Sequence, residues 1–397
     1  MILAGEESGV LYAQEIAAKL SGCEFRGYRD YGFETIDLAV MGFWPVIRRL
    51  FFFLRVRRTM KRAIREWRPD TVLTIDYPGM NLALAAYAKS LGIRTVHVVS
   101  PQVWAWKKWK IPTIERSLDR LCCFFPFEPR YFREGLATFV GHPLFDAFQS
   151  SNLQTLKPSN SQTLKPSNLS SNHSTVQPFN RSTEPSNSQT FKPSNFQTLK
   201  PSNSTLAVLP GSRAGEIERI LPVLIEAVVE LRKEHPELEV VVPAANPRAR
   251  RLIEEVIARS ASARVAVIDG GARELLLRSR CAVVASGTAT LEAALARCPT
   301  VLVYRVGPIT ALILRALITG TRFAGLANII WDKCGGKGEQ PMTELLQEAF
   351  TVGSVVANLR PLLEDDAAHS AAVARLDSAM ALLASDGGAI ARIAAEV

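Results

Sequence analysis

Two short runs carry the residues best suited to hold a charged ligand. LAVLPGSRAGE (206–216) reads as a buried strand, Leu206–Leu209, that breaks at Pro210-Gly211 and delivers Ser212 and Arg213 to the mouth of a helix over 217–235. Free N–H groups and the dipole at a helix start favour an anion, and a guanidinium beside them can fork onto a phosphate. CAVVASGTATLEAALARC (281–298) repeats the pattern, with Ser286, Gly287 and Thr288 in the loop between strand and helix. Either turn would also suit an ordinary Rossmann-like loop; two of them in one half of the chain, with Arg213, favour a diphosphate-bearing nucleotide. A third candidate is Asp76, which ends the strand TVLTID (71–76) ahead of Tyr-Pro-Gly-Met-Asn. Pro78 stops the strand from simply continuing, which leaves the carboxylate at the strand's C-terminal edge. There it can accept a proton from an attacking hydroxyl, or cap a turn or helix. Glu292, four residues after Thr288, suits ribose hydroxyls or merely the dipole of its helix. Asn328 in LANII and Gln347 in ELLQ are polar residues among apolar neighbours, usable as ligand contacts or as caps. His97 in VHVV and His142 in VGHPL read as structural. Nothing resembles a Ser-His-Asp set, a phosphate-binding Walker loop, a CxxC pair or a metal-binding Asp-x-Asp.

These residues need two α/β halves to position them. Before residue 150 the pattern is a GEESG turn with a helix to Leu20, strand TVLTID, helix NLALAAYAKSLG, then strands RTVHVVS, LCCFF and ATFVG. After residue 204 it is LAVLP, helix, LEVVVPAAN, helix, ARVAVIDG, helix, CAVVAS, helix, TVLVYR. Short continuous apolar strands separated by helices imply parallel sheets covered on both faces. Two such halves leave a cleft at the carboxyl ends of their strands, where doubly wound folds bind ligands. The expected division is an N-terminal Rossmann-like unit (1–149), an insert (150–204), a C-terminal Rossmann-like unit (205–342) and C-terminal helices (343–397). The insert repeats QTLKPSN at 154–160, 162–168 and 197–203 and is too poor in apolar residues to bury a core, so disorder is expected there. Only Met1–Ala4 precede the first turn, which suggests that the natural start lies upstream.

The chain has 397 residues, 47% of them hydrophobic, and a formal net charge of +9. Nine Lys/Arg and a single Glu lie between Arg48 and Arg68, so the excess is a local patch and not a diffuse nucleic-acid-binding surface. Within it, Phe43–Trp67 combines arginine pairs with the block Leu50–Leu54. Such a helix can lie on an anionic bilayer with Phe51, Phe52 and Phe53 partly inserted, or it can be a core helix with a charged outer face. Six scattered cysteines read as buried thiols in a reducing compartment. No apolar stretch reaches the roughly 20 uncharged residues of a membrane span, and no cleavable signal is visible, so the expected location is the cytoplasm.

The motifs also occur in a recognisable order. GEESG (5–9), LAVMG (38–42), IDYPGMN (75–81), VSPQVWAWK (99–107), FPFEP (125–129), VGHPL (140–144), LPGSR (209–213), ASGTATLEA (285–293), YR (304–305), ANII (327–330) and ELLQE (344–348) resemble those of the lipid-A-disaccharide synthase family. The resemblance covers nearly the whole chain outside the insert and the last helices. It implies a GT-B architecture and an inverting transfer needing neither metal nor cofactor. UDP-2,3-diacylglucosamine would donate its sugar to the 6-hydroxyl of 2,3-diacylglucosamine 1-phosphate (lipid X). It further implies Asp76 as the base, and Ser8, Gly211, Ser212, Arg213, Ser286, Gly287, Thr288, Glu292, Asn328 and Gln347 around the UDP-sugar. The protein would sit peripherally on the inner face of the cytoplasmic membrane of a Gram-negative-type bacterium, with an anionic membrane surface as partner, no nucleic acid, and a homodimer left open. Other UDP-sugar enzymes of this architecture, such as a murein-type transferase or a 2-epimerase, lack the Trp-rich VSPQVWAW loop. A catalytically dead membrane-binding relative is disfavoured by the presence of both Asp76 and Arg213. The chain departs from the family at Val10, where an Asp is usual, in the shortened segment between Arg26 and Thr35, and in the lengthened WDKCGGKGEQPM (331–342).

Overall fold

The computed structural model describes residues 1–34, 50–155, 204–259 and 264–397. The LAVMG run, Phe43–Arg49 and almost all of the repeat insert lie outside them.

The N-terminal unit is one parallel sheet in the order β1 (Ile2–Ala4), β2 (Thr71–Ile75), β3 (Arg94–Val98), β4 (Arg120–Cys123), β5 (Ala137–Phe139). Successive strand residues alternate between two apolar layers, as a parallel sheet buried on both faces requires. Leu3 and Val72 join a layer with α2 (Leu50–Trp67) and α3 (Pro78–Ser90). Ala4, Leu73, Ile75 and Val96 face α1 (Glu7–Lys19). The short α4 (Ile111–Ser117) packs beside α3 over Leu121 and Cys123. From β5 the chain enters α5 (Pro143–Thr155), which takes up the first residues assigned to the insert.

The C-terminal unit is a six-stranded parallel sheet. Its strands are β6 (Thr205–Leu209), β7 (Glu239–Ala244), β8 (Ala266–Asp269), β9 (Cys281–Ala285), β10 (Thr300–Tyr304) and β11 (Thr343–Leu346), in the spatial order β11-β10-β9-β6-β7-β8. This is the 3-2-1-4-5-6 order of a dinucleotide-binding fold, and the reversal falls between β6 and β9. Residues 343–346, expected to be helical, are the sixth strand: TELL pairs in parallel with Val301–Tyr304 and completes the sheet. One face carries α6 (Ala214–Glu234) and α7 (Pro247–Ile257). The other carries α8 (Ala272–Arg278), α9 (Thr288–Leu295) and, beyond α10 (Pro308–Leu317), α11 (Leu326–Lys333).

The C-terminal helices divide between the units and do not form a layer of their own. α12 (Val352–Glu364) packs on α6, and α13 (Asp366–Met380) on α9 and α11. α14 (Ala389–Glu396) returns to the N-terminal unit, where Arg120 binds Glu396 at 3.2 Å and the Thr71 hydroxyl donates to the Val397 carbonyl at 3.2 Å. A second tie is the Trp-rich loop. Trp104 and Phe127 of the N-terminal unit belong to the apolar layer of α9, α11 and α13, and the Gly320 N–H donates to the Ala105 carbonyl at 3.1 Å.

Candidate active site

The two anion-seeking corners leave adjacent strands, β6 and β9, on either side of the sheet's switch point, where such folds bind ligands. They share a cavity of about 310 Å³ that brings together Gly211, Ser212, Arg213, Ser286, Gly287 and Thr288, with Glu216, Ala245 and Gly270 on the remaining wall. α6 opens at Ala214, so Arg213 is its N-cap residue and lies directly at the positive end of the helix. Gly211 has φ +102°, and a Cβ there would stand 2.4 Å from a Glu216 carboxylate oxygen, so this turn accepts no larger residue. Gly287 caps α9 at φ 155°, ψ −164°, a region that only glycine occupies readily. Glu216 reaches back from the first turn of α6, binding the Arg213 guanidinium at 2.9 Å and accepting the Arg213 N–H at 3.4 Å.

Across the cleft, Asp76 follows β2 at φ +50°, and Tyr77 repeats the left-handed conformation at φ +49°. Asn81, invisible as a site residue in the sequence reading, explains how this turn is held. It is fully buried. Its amide nitrogen lies 2.8 Å from the Asp76 carbonyl and 3.1 Å from those of Leu3 and Ile75, and its oxygen accepts the Tyr28 hydroxyl at 2.7 Å. One side chain thereby ties the ends of β1 and β2 to α3. The Asp76 carboxylate accepts the Tyr77 N–H at 2.8 Å. Burial pushes its pKa above the usual aspartate range, against that hydrogen bond, which favours the ionised form. Burial and then Asp76 also raise Glu6. The Tyr12 phenol is raised by burial and then by Glu15, Asp76 and Glu292; it stands within electrostatic reach of the base candidate in one unit and of Glu292 in the other.

The remaining expected residues lie around this centre with different roles. Glu292 is half-buried on α9, outside the cavity wall, its carboxyl raised by burial and lowered again by Arg273. Ser8 is exposed in the first turn of α1. Gln347, at φ +53°, accepts the Val306 N–H at 3.4 Å and the Arg305 guanidinium on its carbonyl, so it braces the turn after β10. Asn328 is fully buried, donates to the Met342 carbonyl and to Glu344 at 2.8 Å each, and accepts the Met342 N–H at 2.9 Å. Those bonds join α11 with β11, and Asn328 is not among the residues that line the cavity. The phenylalanine block divides. Phe51 is 86% exposed, but Phe52 packs edge-on against Phe33 and Phe53, and both join the core layer under α2.

Both histidines are structural. Burial lowers His97 to about 3 and His142 to about 4; His97 bonds the Thr74 hydroxyl at 2.7 Å, and His142 accepts the Leu144 N–H at 3.2 Å. The six cysteines are unpaired. Among the described residues one group could gather a metal, Glu234, His235 and Glu364, with ligand atoms within 4.8 Å of one another. Arg360 already supplies a cation there, 2.9 Å from Glu234, and the group lies at the far end of α6 from Arg213. Glu128, in FPFEP, is a further buried group the sequence did not single out. It accepts the Trp104 indole N–H and the Phe125 N–H at 3.1 Å each, and burial pushes its carboxyl up to about 8.

Comparison with known proteins agrees with this geometry. A family profile described as Lipid-A-disaccharide synthetase matches residues 2–166 and 182–385. The chain is 33% identical to the lipid-A-disaccharide synthase of Anaeromyxobacter dehalogenans (strain 2CP-C), covering 100% of this chain and 96% of the relative. It is 34% identical to that of Xylella fastidiosa (strain M23), covering 90% and 87%. Among solved structures the fold is similar to UDP-GlcNAc 2-epimerase from Neisseria meningitidis bound to UDP-GlcNAc, at a TM-score of 0.55 and 12% identity over 94% of this chain and 93% of that one. It is likewise similar to the calicheamicin glycosyltransferase CalG4, at a TM-score of 0.53 and 14% identity over 100% and 96%. Two Rossmann-like units facing a cleft are the GT-B fold that these likenesses show, and the family match spans most of the sequence. The chain belongs to the lipid-A-disaccharide synthase family of GT-B glycosyltransferases.

Proposed function

We propose that the protein transfers 2,3-diacylglucosamine from UDP-2,3-diacylglucosamine to the 6-hydroxyl of lipid X with inversion, in lipid A biosynthesis. The products are the β-1,6-linked disaccharide 1-phosphate and UDP. The reading rests on Asp76, held by Asn81 at the carboxyl end of β2, on the cavity at the carboxyl ends of β6 and β9, and on Tyr12, which is within electrostatic reach of both Asp76 and Glu292 of α9. The acceptor oxygen attacks the anomeric carbon while its proton passes to the Asp76 carboxylate. The bond from that carbon to the β-phosphate oxygen breaks, and the electron pair leaves with UDP. Arg213 and the N–H groups opening α6 and α9 stabilise the charge that develops there. Gly211, Ser212, Ser286, Gly287 and Thr288 line the diphosphate site, Glu292 approaches the ribose, and Ser8 borders the sugar.

Both substrates carry acyl chains, and the proposal places the protein peripherally on the anionic inner face of the cytoplasmic membrane. No described helix is long and apolar enough to cross a membrane. The exposed Leu50, Phe51 and Leu54, on a helix whose outer face carries Arg55, Arg57 and Arg58, support surface binding through α2. Incubation of purified protein with UDP-2,3-diacylglucosamine and lipid X tests the assignment. Mass spectrometry should detect the disaccharide 1-phosphate with stoichiometric UDP, and release of free sugar with no disaccharide would reject it.

A further inference from the structure

α10 has a composition at odds with its surroundings. Its sequence, PITALILRAL, is apolar nearly all round, a pattern that normally marks a buried helix. Yet none of its described side chains is buried, and none joins an apolar layer of either unit. Leu312 is 71% exposed, with Ile313, Leu317 and Ile318 exposed beside it. Among the described residues ten large hydrophobic side chains are exposed: four are these, three are Leu50, Phe51 and Leu54, and one is Trp109. Those eight occupy three places, and each is at the cleft end of its sheet. α10 leaves the carboxyl end of β10. Trp109 follows the loop from the carboxyl end of β3. α2 leads directly into β2 and packs along it, so its first turn stands level with the carboxyl end of that strand.

The segments that carry two of these places touch. The segment after α10 places the Gly320 N–H on the Ala105 carbonyl at 3.1 Å, and Ala105 begins the run into Lys107, Lys108, Trp109 and Lys110. The same segment reaches the nucleotide cavity, where the Ser286 hydroxyl donates to the Ala324 carbonyl at 3.1 Å. An apolar helix of ten residues is too short to span a bilayer, which takes about 20. Joined through Gly320 and Ala105 to the loop that leads to an exposed tryptophan flanked by exposed lysines, it has the composition of an interfacial helix on an anionic surface.

We propose that α10, on the unit opposite α2, and the Lys108–Lys110 turn, on the same unit as α2, form a second membrane-docking surface, which seats the cavity mouth against an anionic bilayer. The proposal rests on the assignment above to acylated substrates. Its occupant is the lipid surface: the lysines complement anionic headgroups, and the apolar side chains enter the region beneath them.

The test uses the full chain and vesicles of phosphatidylglycerol and phosphatidylethanolamine, with phosphatidylcholine vesicles as control. Wild type should co-sediment with the anionic vesicles and be released by salt. A Leu312→Gln/Leu317→Gln variant should lose about tenfold in vesicle affinity at an unchanged melting temperature, because both residues are exposed, and with unchanged UDP affinity by calorimetry. Trp109→Ala should weaken vesicle binding in the same direction. Unchanged vesicle binding by the double variant overturns the proposal. So does sedimentation equilibrium showing a wild-type dimer that the double variant splits, since the face would then belong to a second copy. Activity on substrates dispersed in detergent keeps the two readings apart: a wild type inactive there defeats the assignment of function, whereas an active one that ignores anionic vesicles defeats only the docking surface.

Discussion

Replacing Asp76 by Asn separates catalysis from folding cleanly, because the structure predicts opposite signs for the two. The amide is nearly isosteric, and its oxygen can still accept the Tyr77 N–H that the carboxylate accepts at 2.8 Å. Asn81 contacts the Asp76 backbone carbonyl and not its side chain, so the turn keeps its latch. The backbone at position 76 has φ +50°, a conformation asparagine tolerates at least as well as aspartate. Burial already works against the charged form of this carboxyl, and an uncharged amide escapes that cost. The melting temperature should therefore stay level or rise. What is lost is the proton acceptor, and removing a positioned general base typically costs about a hundredfold in rate, roughly 2.7 kcal/mol of barrier. UDP affinity, set in the other unit, should not move. Turnover measured by disaccharide formation, a thermal melt and calorimetry with UDP are the assays. In wild type, turnover should fall as the pH drops through a value above the ordinary aspartate range, since the ionised form is the active one and its pKa is raised. Near-wild-type turnover in the variant, or a melting temperature lowered by more than about 3 °C, would refute the reasoning.

Four further outcomes are expected. Arg213→Ala should lower turnover and UDP affinity together, each by roughly 10- to 100-fold for a lost charge-assisted contact, and Arg213→Lys should recover only part because it lacks the fork; calorimetry with UDP checks both. Asn81→Ala removes the buried carboxamide on which three carbonyls and the Tyr28 hydroxyl converge, so it should cost about 1–3 kcal/mol of stability and depress kcat more than it changes KM. Glu128, raised to about 8 from 4.5, contributes stability that is fully present below about pH 4.5 and is lost as the pH rises through about 8; melting curves should show wild type less stable at about pH 9 than at about pH 6, and Glu128→Gln should shrink that difference. At Gly320 a Cβ would stand 1.8 Å from the Trp104 carbonyl of the opposite unit, so Gly320→Ala must widen the cleft. Turnover should fall by up to about a hundredfold for a displacement near 1 Å, with UDP affinity retained.

What the sequence disclosed depended on how local the determining physics was. The β6 and β9 corners were readable because a buried strand, a glycine turn and a helix start are contiguous in the chain, and the structure brings all six of their expected residues to one cavity. Asp76 was readable at a strand end because Pro78 punctuates it. Asn81 was not, although it lies only five residues on, because its partners Leu3 and Tyr28 come from elsewhere in the chain. Asn328 shows a related limit of local reading: a polar residue in an apolar run looks the same whatever its partners, and those found here, Glu344 and Met342, lie 14 to 16 residues on. The strand at 343–346 reads as helix in the sequence because TELL has no alternation to distinguish it from the helices that follow. Phe52 and Phe53 differ from Phe51 only in angle around α2, and which angle meets Phe33 and the core is set by tertiary packing.

The segment from Ile318 to Gly325 links features that would otherwise look independent. It is the end of the exposed apolar helix, it supplies Gly320 to the contact with Ala105, and it supplies the Ala324 carbonyl to Ser286 on the cavity wall. Seating of α10 in a lipid surface, as proposed, would therefore act on the same backbone that contacts the opposite unit and braces one wall of the proposed diphosphate site. The opposite wall of the cleft is fixed differently. Asp76 is pinned by a buried network within its own unit, and α14 returns from the far unit to clasp the sheet behind it through Arg120 and Thr71. One side of the candidate site is thus held by buried hydrogen bonds within its own unit, while the other is tied to a partly exposed connection that also carries the contact between the units.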